Sequence, residues 1–290
     1  NNKNNKNNKI KIKRKINILK DKLNNNNKIK INKIKIKRRI NILKDKLKNI
    51  NNKNNRVISS DVKQSTFKNV LKSISENKNG VEIGGPSNTN GTQTLYENAN
   101  SFDNVVWSDD TVWCQQKQTY NFYPGKNGKV IINDSTDICS VKDKTYDFLF
   151  SCHCLEHIAN PLKAVNEWLR IVKDNGFIVI VVPEKSKTFD HKRQYSKFST
   201  LLTQYENNVN EDDLSTLNEI LNFHDLSMDP GAPQDPAEFK KRCLNNFYNR
   251  CLHHYVYDDN LLLEICTYFK CEYIYKITQG SNRWFIMKKV

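Results

Sequence analysis

The sequence predicts an α/β domain with a doubly wound, mostly parallel sheet of seven strands, preceded by a disordered basic tail. Short apolar segments recur between residues 81 and 182, and each ends in glycine or polar residues, as parallel strands do at their ligand-binding edge. A helical pattern joins two of these segments, which is typical of a right-handed βαβ unit. Residues 1–56 contain no Gly, Pro, Cys or aromatic residue, a composition that predicts disorder.

The tail accounts for the formal net charge of +16, because residues 1–56 hold 21 of the 47 Lys and Arg residues and only two acids. Its segment from Lys9 to Leu23 recurs 24 residues later with one change, and its apolar groups are too few to offset chain entropy. Two interpretations stay open. The tail makes weak contact with a polyanion, such as a nucleic acid or an anionic membrane surface, or it is a low-complexity tract without a binding role.

No apolar run approaches the ~20 residues that a membrane-spanning helix needs, and no signal-peptide core precedes the domain. We therefore expect a soluble, cytoplasmic protein without a transmembrane segment, with organelle targeting by the tail as the open alternative. Eight cysteines in a chain without secretory features are expected to be reduced thiols.

The predicted domain covers residues 57–290 and begins with a helix over 57–79, whose Phe67, Val70, Leu71 and Ile74 recur at helical spacing. Each of the next three segments reads as a short strand followed by a turn. The first ends in Gly84-Gly85-Pro86 and the other two end in polar residues; they cover 81–83, 104–107 and 129–132.

A fourth strand at 146–150 leads to a helix with Asn160 as N-cap and Pro161 at its first position. The fifth strand, 177–182, is apolar on both faces and should be central. Residues 184–254 lack strand patterning and are expected to form a lid that excludes water. The domain ends with a helix and two strands, at 258–269, 273–277 and 283–288.

Two strand ends carry residues suited to ligand chemistry. Gly84 and Gly85 would let a ligand approach the main chain, and Glu82 could accept a hydrogen bond from a ligand ammonium or hydroxyl group. The alternative is that these glycines only turn the chain. After the fourth strand, the Cys152–His157 loop should face the same ligand.

These residues carry a resemblance. The turn Glu82-Ile83-Gly84-Gly85-Pro86 and the block Ser151-x-His153-x-Leu155-Glu156-His157, set between an acidic strand and a Pro-started helix, resemble class I S-adenosylmethionine-dependent methyltransferases of the type 11-like branch. The resemblance covers about residues 80–290. It implies a Rossmann-like methyltransferase fold, S-adenosyl-L-methionine as cofactor and a small-molecule methyl acceptor. Pro86 and Asn88 depart from the glycines that are usual in the family.

The resemblance also implies roles for single residues. Glu82, Gly84 and Gly85 should hold the amino-acid end of the cofactor, and Asp109 its ribose. Asp134, Asp137 and Ile138 should flank adenine, and Ser151 is a further cofactor-binding candidate. His153, beside the expected methyl group, and His191 are the candidate catalytic residues. The alternatives are exposed loop acids and hydrogen-bonded structural histidines.

Other functions were weighed against methyl transfer to a small molecule. Cys152-x-Cys154 with His157, or Cys243 with Cys251-x-His253-His254, lack the usual zinc spacings, so we expect no metal. The slight acidity of residues 57–290 argues against a second interpretation, a nucleic-acid or protein methyltransferase tethered by its basic tail. A non-catalytic member of the fold is opposed by the intact Glu82, Gly84 and Gly85.

Overall fold

The computed structural model describes residues 60–108 and 119–290 of the chain, with side chains from Ser65 onward. The predictions about the tail and about Asp109 lie outside these residues. The α-helices are α1 (Ser60–Ser75), α2 (Thr92–Asn98), α3 (Pro161–Ile171), α4 (Phe198–Glu206), α5 (Leu217–Phe223), α6 (Pro236–Leu244), α7 (Asn246–Asn249) and α8 (Asp259–Tyr268). The strands are β1 (Asn79–Ile83), β2 (Ser101–Val106), β3 (Thr119–Tyr123), β4 (Lys126–Ile132), β5 (Tyr146–Cys152), β6 (Val172–Pro183), β7 (Glu272–Gln279) and β8 (Asn282–Lys288).

The strands form one sheet in the order β3-β4-β2-β1-β5-β6-β8-β7. The five strands from β4 to β6 in this order are parallel, whereas β8, β7 and β3 are antiparallel to their neighbours. The predicted mostly parallel, doubly wound sheet is confirmed, and β3 adds an eighth strand at one edge. The β3 side chains of Tyr120 and Phe122 alternate with exposed residues and are buried.

Helices cover both faces of the sheet. Along β6, Ile178, Ile180 and Val182 pack with residues of α3 and α8, such as Trp168 and Ile265. The alternate residues Val179 and Val181 pack on the other face, with Phe67 of α1 and Leu95 of α2. The expected central position of this strand between β5 and β8 is therefore confirmed.

The unit that connects β5 to β6 follows the predicted pattern with shifted boundaries. Asn160 caps α3, since its side-chain oxygen accepts a hydrogen bond from Lys163 N at 3.2 Å. The helix ends at Ile171, and β6 begins five residues before the predicted strand. Val172 already pairs with Tyr146 there, and a register shift follows.

The segment of residues 184–254, called the insertion below, lies between β6 and α8 and contains no strand; the structure describes all of it. Its helices share a small apolar cluster of their own, which includes Ile220, Phe239, Cys243 and Leu252. Within the described parts of the chain, no helix is both long enough and apolar enough to span a bilayer.

Candidate active site

A cavity of ≈ 350 Å³ lies at the carboxyl ends of the parallel strands, where ligands of open α/β sheets bind. One wall comes from the strand ends, with residues that follow β1, β2, β4 and β5. The facing wall comes from the insertion. Lining residues include Gly84, Trp107, Asp134, His153, Glu156 and His157 from the strand ends, and Phe189, Glu211, Arg250 and His253 from the insertion.

Gly84 opens the turn after β1 and lines this cavity. Its φ of +78° is a conformation that residues with a Cβ rarely adopt, and its N–H donates to Val105 O at 2.9 Å. A Cβ at this position would approach Cys154 Sγ to 3.6 Å. Gly84 therefore presents bare main chain to the cavity, as its predicted role requires.

Gly85 does not line the cavity but packs over Glu82. Its N–H donates to Asn104 Oδ1 at 3.0 Å, and its carbonyl accepts from Asn104 Nδ2 at 2.8 Å. A Cβ at Gly85 would overlap the Glu82 carboxylate and lie 2.7 Å from the Tyr120 hydroxyl oxygen. The second glycine is needed for this buried packing.

Glu82 is fully buried beneath the turn. Its Oε2 accepts hydrogen bonds from the hydroxyl groups of Tyr96, at 2.6 Å, and Tyr120. Its Oε1 has no hydrogen-bond partner among the described residues. Burial raises the pKa of Glu82, although the proximity of Ser87 and the hydrogen bonds from the two tyrosines oppose the shift. Oε1 is therefore the Glu82 atom that could accept from a donor group on a ligand, although Glu82 itself does not line the cavity.

The predicted adenine-side residues separate in the structure. Asp134 lines the cavity, whereas Asp137 is exposed and Ile138 is buried in the core, its N–H donating to Glu167 Oε1 at 2.7 Å. Ser151 is buried in β5, between Ile83 of β1 and Ile180 of β6, and is not in the cavity wall. Of these four candidates, only Asp134 faces the cavity.

Arg250 of the insertion was not predicted, yet it covers the ends of β2 and β4. It forms ion pairs of 3.2 Å with Asp134 and with Glu211. Its guanidinium lies 4.0 Å from the centre of the Trp107 ring, at the distance of a cation–π contact. These contacts fix the insertion over the strand ends.

His153, the first catalytic candidate, lines the cavity with a φ of +49°, which is uncommon for a residue with a side chain. Its Nε2 lies 2.6 Å from Asn282 Oδ1, and its Nδ1 lies 3.5 Å from Glu156 Oε1. Burial lowers the pKa of His153, but the 3.5 Å contact with Glu156 and the negative charge of that carboxylate outweigh it and raise the pKa overall.

His191, the second candidate, is not in the cavity wall. Its Nε2 lies 2.9 Å from Asp225 Oδ2, and Lys192 forms an ion pair of 2.8 Å with the same oxygen. The structure does not bring His191 together with His153, so a catalytic role for His191 stays a prediction.

Three further side chains converge in the wall: Glu156, His157 and His253 each offer a ligand atom, and these atoms lie within 4.8 Å of one another. Burial, followed by the charge of His253, lowers the pKa of His157 to about 4, so this ring is neutral at pH 7. Although burial opposes it, the contact with His153 and the positive charge of its imidazolium lower the pKa of Glu156. Sequence spacing could not show this group because His253 lies almost 100 residues after the adjacent Glu156 and His157.

The end of the insertion is fastened to the loop after β5. His254 N donates to Glu156 O at 2.8 Å, and the Tyr255 hydroxyl donates to Ala159 O at 2.8 Å. The buried guanidinium of Arg193 donates to the carbonyls of His253, at 2.7 Å, and His254, at 3.2 Å. Arg193 therefore holds main chain in place and does not face the cavity.

The wall contains groups that fit S-adenosylmethionine. Gly84 provides a main-chain surface without a side chain. Glu82 is not in the wall itself but is buried beneath the same turn, and its Oε1 has no hydrogen-bond partner among the residues that the structure describes. Asp134 and the Trp107 ring lie at the ends of the adjoining strands, where the resemblance places the nucleoside. Gly84 and Glu82 would hold the amino-acid end, and Asp134 the adenine end.

A family model described as a methyltransferase domain matches residues 55–228, which is more than half of the chain. No curated protein sequence matches significantly. Among solved structures, a SAM-dependent methyltransferase from Aquifex aeolicus shares 14% identity at a TM-score of 0.41, over 77% of this chain and 89% of its own. The N-methyltransferase NodS from Bradyrhizobium japonicum shares 9% at a TM-score of 0.42, over 78% and 94%.

At such identities and TM-scores, the two structures say nothing about which acceptor this chain uses. The family model confirms the predicted enzyme class, and the sheet order and the glycine turn agree with it. The chain belongs to the methyltransferase-domain family and is a class I methyltransferase whose methyl donor is S-adenosylmethionine.

Proposed function

We propose that this enzyme transfers the methyl group to a small-molecule acceptor held inside the cavity, under the insertion. The observation that carries the proposal is the facing wall. Phe189, Glu211, Arg250 and His253 of the insertion line the same cavity as Gly84 and His153. Its volume of ≈ 350 Å³ is at the lower end of the range of small-molecule sites, which favours a compact acceptor.

Bound S-adenosylmethionine supplies the methyl group, which its sulfonium sulfur carries. Methyl transfer is an in-line displacement, so the main contribution of the chain is to position the acceptor and exclude water. The insertion would act as the lid that was expected from the sequence. Its contacts through Arg250 and His254 close it over the strand ends.

His153 is the proposed base for an acceptor that must lose a proton. If Nε2–H donates to Asn282 Oδ1, which lies 2.6 Å away, the lone pair of Nδ1 is the basic site. Glu156, 3.5 Å from this atom, would stabilise the imidazolium that forms.

We also propose that the enzyme is located in the cytoplasm.

A nucleic-acid or protein acceptor is the second candidate, and the specific observation in its favour is the basic composition of residues 1–56. The two candidates differ in what they must admit. A cavity lined by the insertion suits a whole small molecule, whereas a polymer would have to insert a single base or side chain.

The test combines a binding and a product measurement on the full chain. Calorimetry with S-adenosylmethionine establishes a competent donor site. Metabolite extracts, RNA, DNA and protein are then incubated separately with methyl-labelled donor, and products are identified by mass spectrometry. We expect label in one or a few small molecules. Label confined to RNA, DNA or protein would contradict the proposal and favour the second candidate.

A further inference from the structure

We propose that Glu156, His157 and His253 form a binding site for a divalent transition-metal ion of the zinc class, in the wall of the cavity. Their ligand atoms lie within 4.8 Å of one another, and all three residues line the cavity. Two imidazoles and one carboxylate are a ligand set of catalytic zinc sites, which keep a further position open. The same set also suits iron(II).

The Glu156 carboxylate is the strongest indication. Glu156 is 1% exposed, and neither of its carboxylate oxygens has a hydrogen-bond partner in the described parts of the chain. Glu156 Oε1 makes an ion-pair contact with His153 Nδ1, at 3.5 Å. A buried carboxylate without hydrogen bonds is costly unless a cation compensates it. A bound divalent ion would provide that compensation.

His253 has the supporting contact that metal-binding histidines usually have. Its Nδ1 lies 2.6 Å from Asp190 Oδ2, and Asp190 Oδ1 accepts from Arg193 Nη1 at 2.9 Å. Donation of Nδ1–H to a carboxylate fixes the ring and presents the Nε2 lone pair to an ion. The ring of His157 lies 4.5 Å from that of His253, nearly perpendicular to it.

The ligands come from two elements that are fastened together. Glu156 and His157 belong to the loop after β5, and His253 belongs to the end of the insertion. The hydrogen bond from His254 N to Glu156 O, 2.8 Å long, joins these elements next to the ligands. Small side-chain adjustments would bring the three ligand atoms to metal-bonding distance.

Such an ion also suggests the chemical class of the acceptor, an inference that rests on the function proposed above. Three protein ligands leave a coordination position toward the cavity, which an oxygen or nitrogen atom of the acceptor could take. Coordination lowers the pKa of a bound hydroxyl group and orients it. The acceptor would then be a small molecule with an oxygen or nitrogen donor near the atom that is methylated.

This site differs from the two sets of possible metal ligands considered from the sequence, because each of those sets included cysteines. Cys154 also lines the cavity, so binding of zinc by thiols is the alternative to distinguish. Cobalt(II) serves this purpose, because thiolate coordination gives it a charge-transfer absorption that nitrogen and oxygen ligands do not give.

The experiment uses the full chain, stripped of metal with a chelator and kept reduced. Zn²⁺ is titrated in competition with a chromophoric chelator, and Co²⁺ binding is followed by absorption. We expect about one ion per chain, bound without thiolate absorption. Glu156→Gln should weaken Zn²⁺ affinity at least tenfold, and Asp190→Asn, which acts through His253, by about 10–100-fold. The exposed control Glu238→Gln should bind like the wild type.

Absence of a saturable ion from the wild-type chain would overturn the proposal, as would thiolate absorption or an unchanged affinity in Glu156→Gln. Thermal unfolding of each variant shows whether it is folded before titration, and the wild-type result stands even if a variant is not. No methyl donor is present in these measurements. Their failure would therefore leave the proposed methyl transfer untouched, and a failed methylation assay would leave the metal site standing.

Discussion

Gly84 and Gly85 are adjacent, but the structure requires glycine at each for a different reason. Gly84 has positive φ and faces the cavity, whereas Gly85 packs on Glu82 and Tyr120. We expect Gly84→Ala to lower donor affinity at a stability cost of about 1–2 kcal/mol, the strain of a left-handed residue. Gly85→Ala should cost about 1–3 kcal/mol or more through overpacking.

Urea unfolding and calorimetry with S-adenosylmethionine measure these two effects on the same samples. Each variant is the control of the other. Unchanged donor affinity in Gly84→Ala would contradict the role of Gly84 in the cavity, and a stability cost below about 1 kcal/mol in Gly85→Ala would contradict the buried packing of Gly85.

Glu82 should make the stability of the ligand-free enzyme depend on pH. Its pKa in the folded chain is raised above the ordinary value of 4.5, so ionisation is less favourable in the folded state than in the unfolded one. The free energy of unfolding is therefore highest below the ordinary pKa of 4.5 and falls as the pH rises through the folded-state pKa. Gln cannot ionise and avoids this loss.

We expect Glu82→Gln to raise Tm at pH 8 by about 2–4 °C, the effect of about 1 kcal/mol in a domain of this size. At pH 4 the Tm difference between Glu82→Gln and wild type should largely vanish. The substitution should also lower the affinity for the donor. The exposed Glu97→Gln is the matched control. Parallel Tm curves of wild type and Glu82→Gln between pH 4 and 8 would refute a raised pKa.

At this scale the sequence indicated Glu82, Gly84, Asp134 and His153, because each follows directly from a strand end. It did not indicate Tyr96, Tyr120 or Asn104, which pair with Glu82 and Gly85. These partners are 14 to 38 residues away along the chain. Only the folded sheet determines that they meet.

Among the elements, the insertion contacts the ends of β2 and β4 through Arg250. Arg250 pairs with Asp134 and Glu211 and stacks on Trp107 at once, which a planar guanidinium can do and a lysine ammonium cannot. We expect Arg250→Lys to speed amide exchange in residues 245–253 about tenfold, equivalent to about 1.4 kcal/mol of local stability.

Hydrogen-exchange mass spectrometry on the ligand-free chain measures this change. Peptides from α3 should be unaffected, and Arg242→Lys, in the same insertion, should leave residues 245–253 like the wild type. Equal protection of those residues in Arg250→Lys and wild type would show that other contacts hold the insertion.

Elements with a strong apolar period, such as β5, α3 and β6, were located from the sequence. β3 was missed because its five residues alternate only over Tyr120 and Phe122, and because its role is to add an antiparallel edge. The boundary between α3 and β6 also moved, since pairing of Val172 with Tyr146 outweighs the break expected at Gly176.

For the molecule as a whole, residues 57–290 should not need the first 56 residues to bind the donor. The cavity residues all lie between Ile83 and His253, and the family match begins at residue 55. We expect a chain that starts at residue 57 to keep its donor affinity within about twofold of the full chain, because every cavity-lining residue that the structure describes is retained.

Calorimetry compares the two chains, and the methylation assays are repeated with the shorter one. Retained small-molecule methylation agrees with the proposed function. Loss of methylation of RNA or DNA on truncation, with donor affinity preserved, would assign the basic residues to a polymeric acceptor instead.

The mostly parallel sheet and its two covered faces could be predicted because hydrophobic periodicity and connection rules nearly fix them. The cavity could not, because five of its nineteen lining residues come from an insertion whose helices have no strand or crossover pattern to place them. The meeting of Glu156 with His253 is a product of that placement.

The two hydrogen bonds between the Asn104 amide and Gly85 extend the β1–β2 ladder by one rung, made by a side chain in place of a peptide group. The end of β2 and the glycine turn therefore form a single rigid corner. Trp107, which follows β2, and Gly84 of the turn both line the cavity, so a donor analogue enlarged at its base that displaces the end of β2 would disturb the amino-acid end as well. Modifications at the two ends of such analogues should consequently be non-additive in their effects on affinity.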